Sequence, residues 1–399
     1  MADYAIVPPG AAPLARPVEL ICFALIVAHA VYLAASFWQG SWLIAHDGGG
    51  EPSDFVNVWA AGKLVWQGHA ASAYDWPVHK VVEVLAVGHP FDGYFGWHYP
   101  PMFLFVAAPL ALIPYIPAYV LWLAATFPAY LLTMRAIIGE RAGYLLAAAF
   151  PAILSNFIVG QNGFLSAALL GGTVLFIERR PVLAGILLGL LTYKPHLGLL
   201  FPVALIAGGH WRAFMTAAVT GAAIALASLF AFGTDTWQAF FGNIGHTSQA
   251  FLSDGWADFA KLQTMFGLAR MLGVPEPLAW ALQGAVALAS AGAIAVLWRS
   301  RADFAIKAAA LACGVLLATP YLYLYDLVVL AVPLAFLFRL GRARGFLPYE
   351  LAGIGLASLL VLIFPFVKAP TGFAAVLVVA ALIARHALPP RQATAAVTP

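Results

Sequence analysis

Charged side chains are scarce in this chain, at 9% of 399 residues, whereas 63% are hydrophobic. With a mean hydropathy of +0.90, so much apolar surface cannot be hidden inside one soluble core, and a polytopic all-α membrane protein is implied. The 20 Lys and Arg against 17 Asp and Glu leave a net charge of +3. No basic tract is dense enough to follow a phosphodiester backbone, which excludes nucleic acid as a partner. Cysteine is nearly absent. Cys22 and Cys313 both lie within apolar runs, where they read as packing residues rather than as a disulfide or metal site. The one carboxylate pair at ligand spacing, Asp254 and Asp258, is expected to cap or solvate its loop, so neither metal nor cofactor is called for.

Long apolar runs are what the chain has instead. They cover 18–38, 116–138, 143–158, 162–178, 213–232, 278–298, 303–318, 321–338, 347–366 and 371–387, with two shorter ones at 181–193 and 196–207. The first follows Arg16 without a small-residue cleavage site and reads as an uncleaved signal anchor. Basic residues mark one side of the membrane: Arg16, Arg135, Arg141, Arg179, Arg180, His210, Arg212, Arg299, Arg301, Arg339, Arg342, Arg344, Arg385 and Arg391. By the positive-inside rule these face the cytoplasm. The run "YPPMFLFVAAPLALIP" (99–114) breaks the alternation, being short and interrupted by prolines. It is expected to be a re-entrant or surface-lying helix. The count is then about twelve spans with both termini inside. One integral-membrane domain covers 1–390, with outer loops at 39–115 and 233–277, and 391–399 reads as a disordered tail.

Sidedness sorts the polar residues. Asp54, Asp75, His98, Tyr99, Gln161, Asn162, Lys194, His196, Tyr321, Tyr323 and Asp326 all fall at outer ends, where ionisable groups are costly unless they have a use. Asp54 precedes a stretch with helical spacing, so it is either an N-cap or a carboxylate held beside the membrane as a general base. Trp59 and Trp66 read as interfacial anchors. Asp75, in "AYDWP", has the form of a turn former. In "GWHYPP" the two prolines stiffen the backbone that carries His98 and Tyr99. "LTYKPHLGLL" sets Lys194 and His196 between two apolar runs, an arrangement suited to a lipid-linked phosphate. "VGQNG" offers the amides of Gln161 and Asn162 to sugar hydroxyls or else forms a tight turn. "ATPYLYLYDLVVL" puts Asp326 inside an apolar run, where it needs a partner, and Lys194 is one candidate.

The ordered set "DF…W.AA…L..G…AYD", "YPP…PLALIP", "GQNG…LL", "KP" and "P…YDL", running from about residue 54 to 330, resembles glycosyltransferase family 87. That resemblance implies a GT-C-type membrane fold with a large first outer loop bearing a catalytic Asp and surface-lying helices. It also implies a polyprenyl-phosphate sugar donor, mannose in the characterised mannosyltransferases. Asp54 then matches the catalytic base, Lys194 the "KP" lysine and Asp326 the "YD" aspartate. If a family member uses His between Pro320 and Asp326, Tyr321 or Tyr323 substitutes for it here. The implied function is inverting transfer of mannose or another hexose or pentose to a lipid or glycan acceptor on the outer face of the bacterial cytoplasmic membrane. Lys194 and His196 would hold the donor phosphate. Asp75, His98, Tyr99, Gln161, Asn162, Tyr321, Tyr323 and Asp326 would contact sugar or acceptor. A transporter or lipid flippase is the rival from another class, but it should show related halves and charges near the bilayer midplane, and no internal repeat is visible.

Overall fold

The computed structural model describes residues 14–256 and 258–387 and is helical throughout, apart from isolated bridges near Ile44. The disordered tail expected at 391–399, and Arg391, lie outside the described residues. In chain order the helices are α1 (Arg16–Trp38), α2 (Phe55–Trp66), α3 (Trp76–Val87), α4 (Leu104–Leu110), α5 (Tyr115–Ile138), α6 (Ala142–Ala148) and α7 (Ala152–Val159). They continue as α8 (Gly163–Phe176), α9 (Pro181–Leu190), α10 (Pro195–Gly198), α11 (Phe201–Ala207), α12 (Trp211–Phe232) and α13 (Thr234–Ser248). The last are α14 (Met265–Met271), α15 (Glu276–Arg299), α16 (Phe304–Ala318), α17 (Ala331–Arg344), α18 (Glu350–Leu362) and α19 (Thr371–Ala387).

Every apolar run falls largely on helix. Among the described residues, α1, α5, α12, α15 and the continuous helix Leu324–Arg344 are long and apolar enough to cross a membrane, or six elements if α6 and α7 form one bent span. The remaining apolar helices are shorter. At 1.5 Å per residue the 14 residues of α8 rise about 21 Å, less than a hydrocarbon core of about 30 Å. Two runs differ from their straight reading. The 143–158 run bends by 63° between α6 and α7, where Pro151 supplies no backbone donor. The 321–338 run starts as helix only at Leu324, because the chain from Thr319 to Tyr323 is not helical and both of those residues are extended.

Burial separates the long helices. Within their most apolar windows α12 and α15 are 11% buried, whereas Leu324–Arg344 is 89% buried. The former turn Leu226, Phe230, Leu288 and Val296 outward, as lipid-facing helices do. Asp326 therefore sits on the central helix. Close packing inside the bundle uses small residues: a Cβ on Gly185 would lie 2.6 Å from the Ala213 carbonyl oxygen, and one on Gly189 3.1 Å from that of Ala217. This is the small-residue contact that lets apolar helices approach where lipid offers no hydrophobic driving force.

The 99–114 segment is a short 3-10 turn followed by α4, too short to span. It lies on α2: a Cβ on Gly62 would meet the Ala107 carbonyl oxygen at 2.1 Å. Trp59 and Trp66 donate to the carbonyls of Ile113 and Ala108, at 2.8 and 2.7 Å. These two tryptophans tie α2 to α4 and to the segment that follows it. Beside them α13 packs on the Ala70–Tyr74 turn, and one π-helical turn, Gln249–Ser253, continues it.

The two ends of the bundle differ in chemistry. At one, Arg342 pairs with Glu140, Arg344 with Asp303 and His386 with Glu350, while Arg339 donates to the Ile137 carbonyl. At the other, Gln263 accepts from the Gly372 amide and its own amide donates to the Leu322 carbonyl. Segments 259–264, 319–326 and 371 are thereby tied together.

Candidate functional site

Asp54 occupies the N-cap position of α2, yet its side chain makes no capping bond. Instead its Oδ2 accepts from Gln161 Nε2 at 3.2 Å. Gln161 is held in turn by its Oε1, which accepts from the Tyr99 hydroxyl at 2.9 Å and the Asn162 amide at 3.2 Å. Gly160 makes this possible. Its φ of +66° favours glycine, and a Cβ there would lie 2.4 Å from the Tyr119 ring and 2.7 Å from Phe55 Cβ. The 160–163 turn is thus pressed onto the first turn of α2.

On the other flank of the turn, a Cβ on Gly163 would meet the Tyr325 carbonyl oxygen at 2.3 Å. This contact brings in the buried pair of Lys194 Nζ and Asp326 Oδ1, 2.5 Å apart. Asp326 Oδ2 accepts from the Tyr323 amide at 3.2 Å, so both carboxylate oxygens are engaged. Lys194 also lies over the Tyr325 ring, 5.6 Å from its centre. The α9–α10 junction that carries Lys194 is broken by Pro195, which frees backbone for the lysine to turn inward. Below it Tyr193 bonds Ser166 and stacks on Phe103, which packs against Tyr99.

Electrostatics couples the two parts. Burial pushes the Asp54 carboxyl up to about 6, relieved in part by the Gln161 bond, and the nearby Asp326 charge raises it further while Lys194 and Lys261 oppose that rise. A carboxylate poised there is a competent base near neutral pH. His98 is driven by burial to about 4 and is neutral; its Nδ1 pairs with Thr247 Oγ1 at 3.0 Å.

Several buried polar atoms around this cluster have no partner in the structure: Asn162 Oδ1 and Nδ2, and His196 Nε2. Each such atom costs about 1–3 kcal/mol if nothing satisfies it. Hydroxyl-rich ligands would.

Of the residues singled out in the sequence, Asp54, Tyr99, Gln161, Asn162, Lys194 and Asp326 converge, with His196, Tyr321 and Tyr323 along one edge. His196 and Tyr321 rings are 6.3 Å apart, and Tyr321 and Tyr323 5.0 Å. His98 stands further along the same aromatic row, 5.1 Å from Phe251, itself 6.2 Å from Tyr321. Asp75 is exposed and caps α3 through a 3.2 Å bond from the Val78 amide, the turn-forming alternative. Asp258 caps the Phe259–Lys261 turn, and Asp254 accepts from Gln249. No group of three or more His, Cys, Asp or Glu among the described residues is disposed to hold a metal. One residue that the sequence placed at the outer end was given no role there. Lys261 is exposed and acts on Asp54 through its charge; in sequence it looks like any loop lysine, and only the fold of 259–264 onto 322 brings it here.

The sequence model of glycosyltransferase family 87 matches residues 97–320. The chain belongs to glycosyltransferase family 87. The matched stretch contains Tyr99, Gln161, Asn162, Lys194 and His196, while Asp54 and Asp326 flank it and join it through the contacts above. No curated protein and no solved structure matches the chain. As a member of this family the protein is a multi-pass membrane glycosyltransferase.

Proposed function

We propose that this family 87 protein is an inverting glycosyltransferase that moves a sugar, mannose or another hexose or pentose, from a polyprenyl-phosphate donor to a lipid or glycan acceptor. The site would lie at the outer face of the bacterial cytoplasmic membrane, in a GT-C-type fold whose shorter apolar helices complete about twelve crossings.

Asp54 takes the proton from the acceptor hydroxyl as that oxygen bonds to the anomeric carbon. The bond from that carbon to the phosphate oxygen breaks with its electron pair staying on the phosphate, through an oxocarbenium-like state. Gln161 and Tyr99 fix the direction of the carboxylate. The negative charge that develops on the departing lipid phosphate falls to Lys194 and Lys261, with His196 donating a hydrogen bond. Because Asp326 already neutralises Lys194, the pair carries no net charge, and Lys261, whose charge acts on Asp54, is a second cation for the phosphate. Asn162 meets sugar hydroxyls with its unpaired amide, and Tyr323 offers its hydroxyl beside it. Tyr321, Tyr323 and His98 line the path by which an acceptor arrives.

The observation that carries this reading is the carboxylate of Asp54, turned away from the helix it begins and held by Gln161 beside the Lys194–Asp326 pair. It is tested by assaying purified protein with polyprenyl-phosphate sugars. Asp54→Asn should lower turnover by about two to four orders of magnitude. Turnover within a few-fold of wild type would remove Asp54 from the base role.

A further inference from the structure

A second concavity lies outside the Asp54 cluster. Its volume is about 490 Å³, within the range of about 300 to 1,000 Å³ typical of small-molecule sites. Tyr74, Trp76, Asn243, Gln249, Asp254 and Trp256 form its wall. It sits where α3 begins and where α13 gives way to the π-helical turn Gln249–Ser253, a backbone irregularity that often marks functional positions.

The lining selects the ligand. No lysine or arginine contributes to it, and Asp75 and Asp254 both face it. A phosphate or other anion would be repelled. A hydrocarbon chain would desolvate the Asp75 and Asp254 carboxylates, and the one bond that Asp254 accepts from Gln249 leaves its second oxygen unmet. An ammonium ligand wants a cage of free ring faces, but Trp76 has a face stacked on Tyr94 at 4.8 Å and meets Trp256 edge to face at 5.4 Å. Trp256 is 64% exposed: one large flat apolar surface ringed by amide, carboxylate and imidazole groups. A pyranose presents the matching pattern, an apolar C–H face with a rim of hydroxyls.

The cleft is also wired to the Asp54 site. The Tyr74 hydroxyl donates to the Tyr99 carbonyl at 2.8 Å. The Tyr99 side chain donates to Gln161, and Gln161 to Asp54. His98 lies between them, its ring 6.4 Å from Trp76. We infer that this cleft is a distal acceptor subsite, in which a neutral saccharide chain stacks on Trp256 and bonds Gln249, Asp254 and Asn243 while its terminal hydroxyl reaches Asp54. The delivery to Asp54 rests on the function proposed above; the binding does not.

The test is a binding measurement on the full-length protein in detergent, by saturation-transfer NMR with neutral linear hexose oligosaccharides of two to six units. At least one should bind to wild type and to Asp54→Asn alike. Trp256→Ala and Asp254→Asn should each weaken it about tenfold or more, the scale of losing one aromatic or charge-assisted contact. Trp256→Phe, which keeps a ring, should stay within about threefold of wild type. Choline chloride and inorganic phosphate should not displace the sugar. The subsite is refuted if no oligosaccharide binds, if binding is unchanged in both Trp256→Ala and Asp254→Asn, or if choline or phosphate displaces it. Failure of the Asp54 assignment would appear separately, as normal turnover by Asp54→Asn.

Discussion

A carboxylate directly before a helix usually turns back to accept from the free amides of the first turn. Asp54 does not; its Oδ2 accepts from Gln161 across the interface between α2 and the 160–163 turn. With its carboxyl raised to about 6, the base form is lost as pH falls through that value. The logarithm of kcat/KM should therefore rise with unit slope from pH 5 to about 6 and level off by about 7. A profile flat across this range in the wild type would rule out Asp54 as the titrating base. Lys194 and Asp326 pose a different question, since each neutralises the other in a buried setting. Removing one partner leaves an uncompensated charge, a loss of about 3–5 kcal/mol. Lys194→Met alone should lower the melting temperature more than Lys194→Met combined with Asp326→Asn, while both should lose donor binding. If the double variant melted no higher than the single one, the pair would not be a coupled buried ion pair.

At the level of elements, the site is built by breaks rather than by helices. Pro151 bends α6 away from α7, Gly160 opens the turn that carries Gln161, Pro195 interrupts the chain after Lys194, and Pro320 delays the helix that carries Asp326. Each break is a proline or glycine in the sequence, Pro151 within an apolar run and Gly160, Pro195 and Pro320 between two of them. What the breaks do was not visible there. "VGQNG" read as a turn or as a set of sugar-binding amides, and it is a turn whose first amide holds the proposed base. Trp59 and Trp66 read as interfacial anchors in the sequence, and hydropathy could not foresee that α4 and the turn after it fold back onto α2 and offer them carbonyls. Gly160 tests this view of the site. Alanine there would carry φ +66° at a cost of about 1–3 kcal/mol and would press on Tyr119 and Phe55. Gly160→Ala should lower stability and also reduce kcat more than a comparably destabilising core substitution such as Val379→Ala, as Gln161 is displaced. Equal kcat in the two variants would mean that the turn does not position Asp54.

The whole molecule has two chemically distinct ends, and their separation was the most legible feature of the sequence. Basic residues from Arg135 to Arg385 mark one end, and residues as distant in sequence as Asp54, Gln161, Lys194, Lys261 and Asp326 meet at the other. Parity of apolar runs placed them on one face, and the cost of a lone carboxylate in an apolar run named Lys194 as a candidate partner for Asp326, which the structure bears out; it gave no reason to join Lys261 to Asp54, because that approach links segments more than a hundred residues apart. Nor did length settle the crossings, since half-length helices such as α8 are apolar enough to lie in lipid and too short to traverse it alone. Orientation can be read directly, because Cys22 and Cys313 are both buried. In a background with both replaced by alanine, Asp92→Cys on the loop after α3 should react with a membrane-impermeant maleimide in intact cells. Arg301→Cys, on the short loop between α15 and α16, should react only after permeabilisation. Both side chains are exposed, so protection reports the membrane and not the fold. The reverse pattern would turn the Asp54 cluster toward the cytoplasm, within reach of soluble nucleotide sugars, and the lipid-phosphate donor would lose its physical rationale.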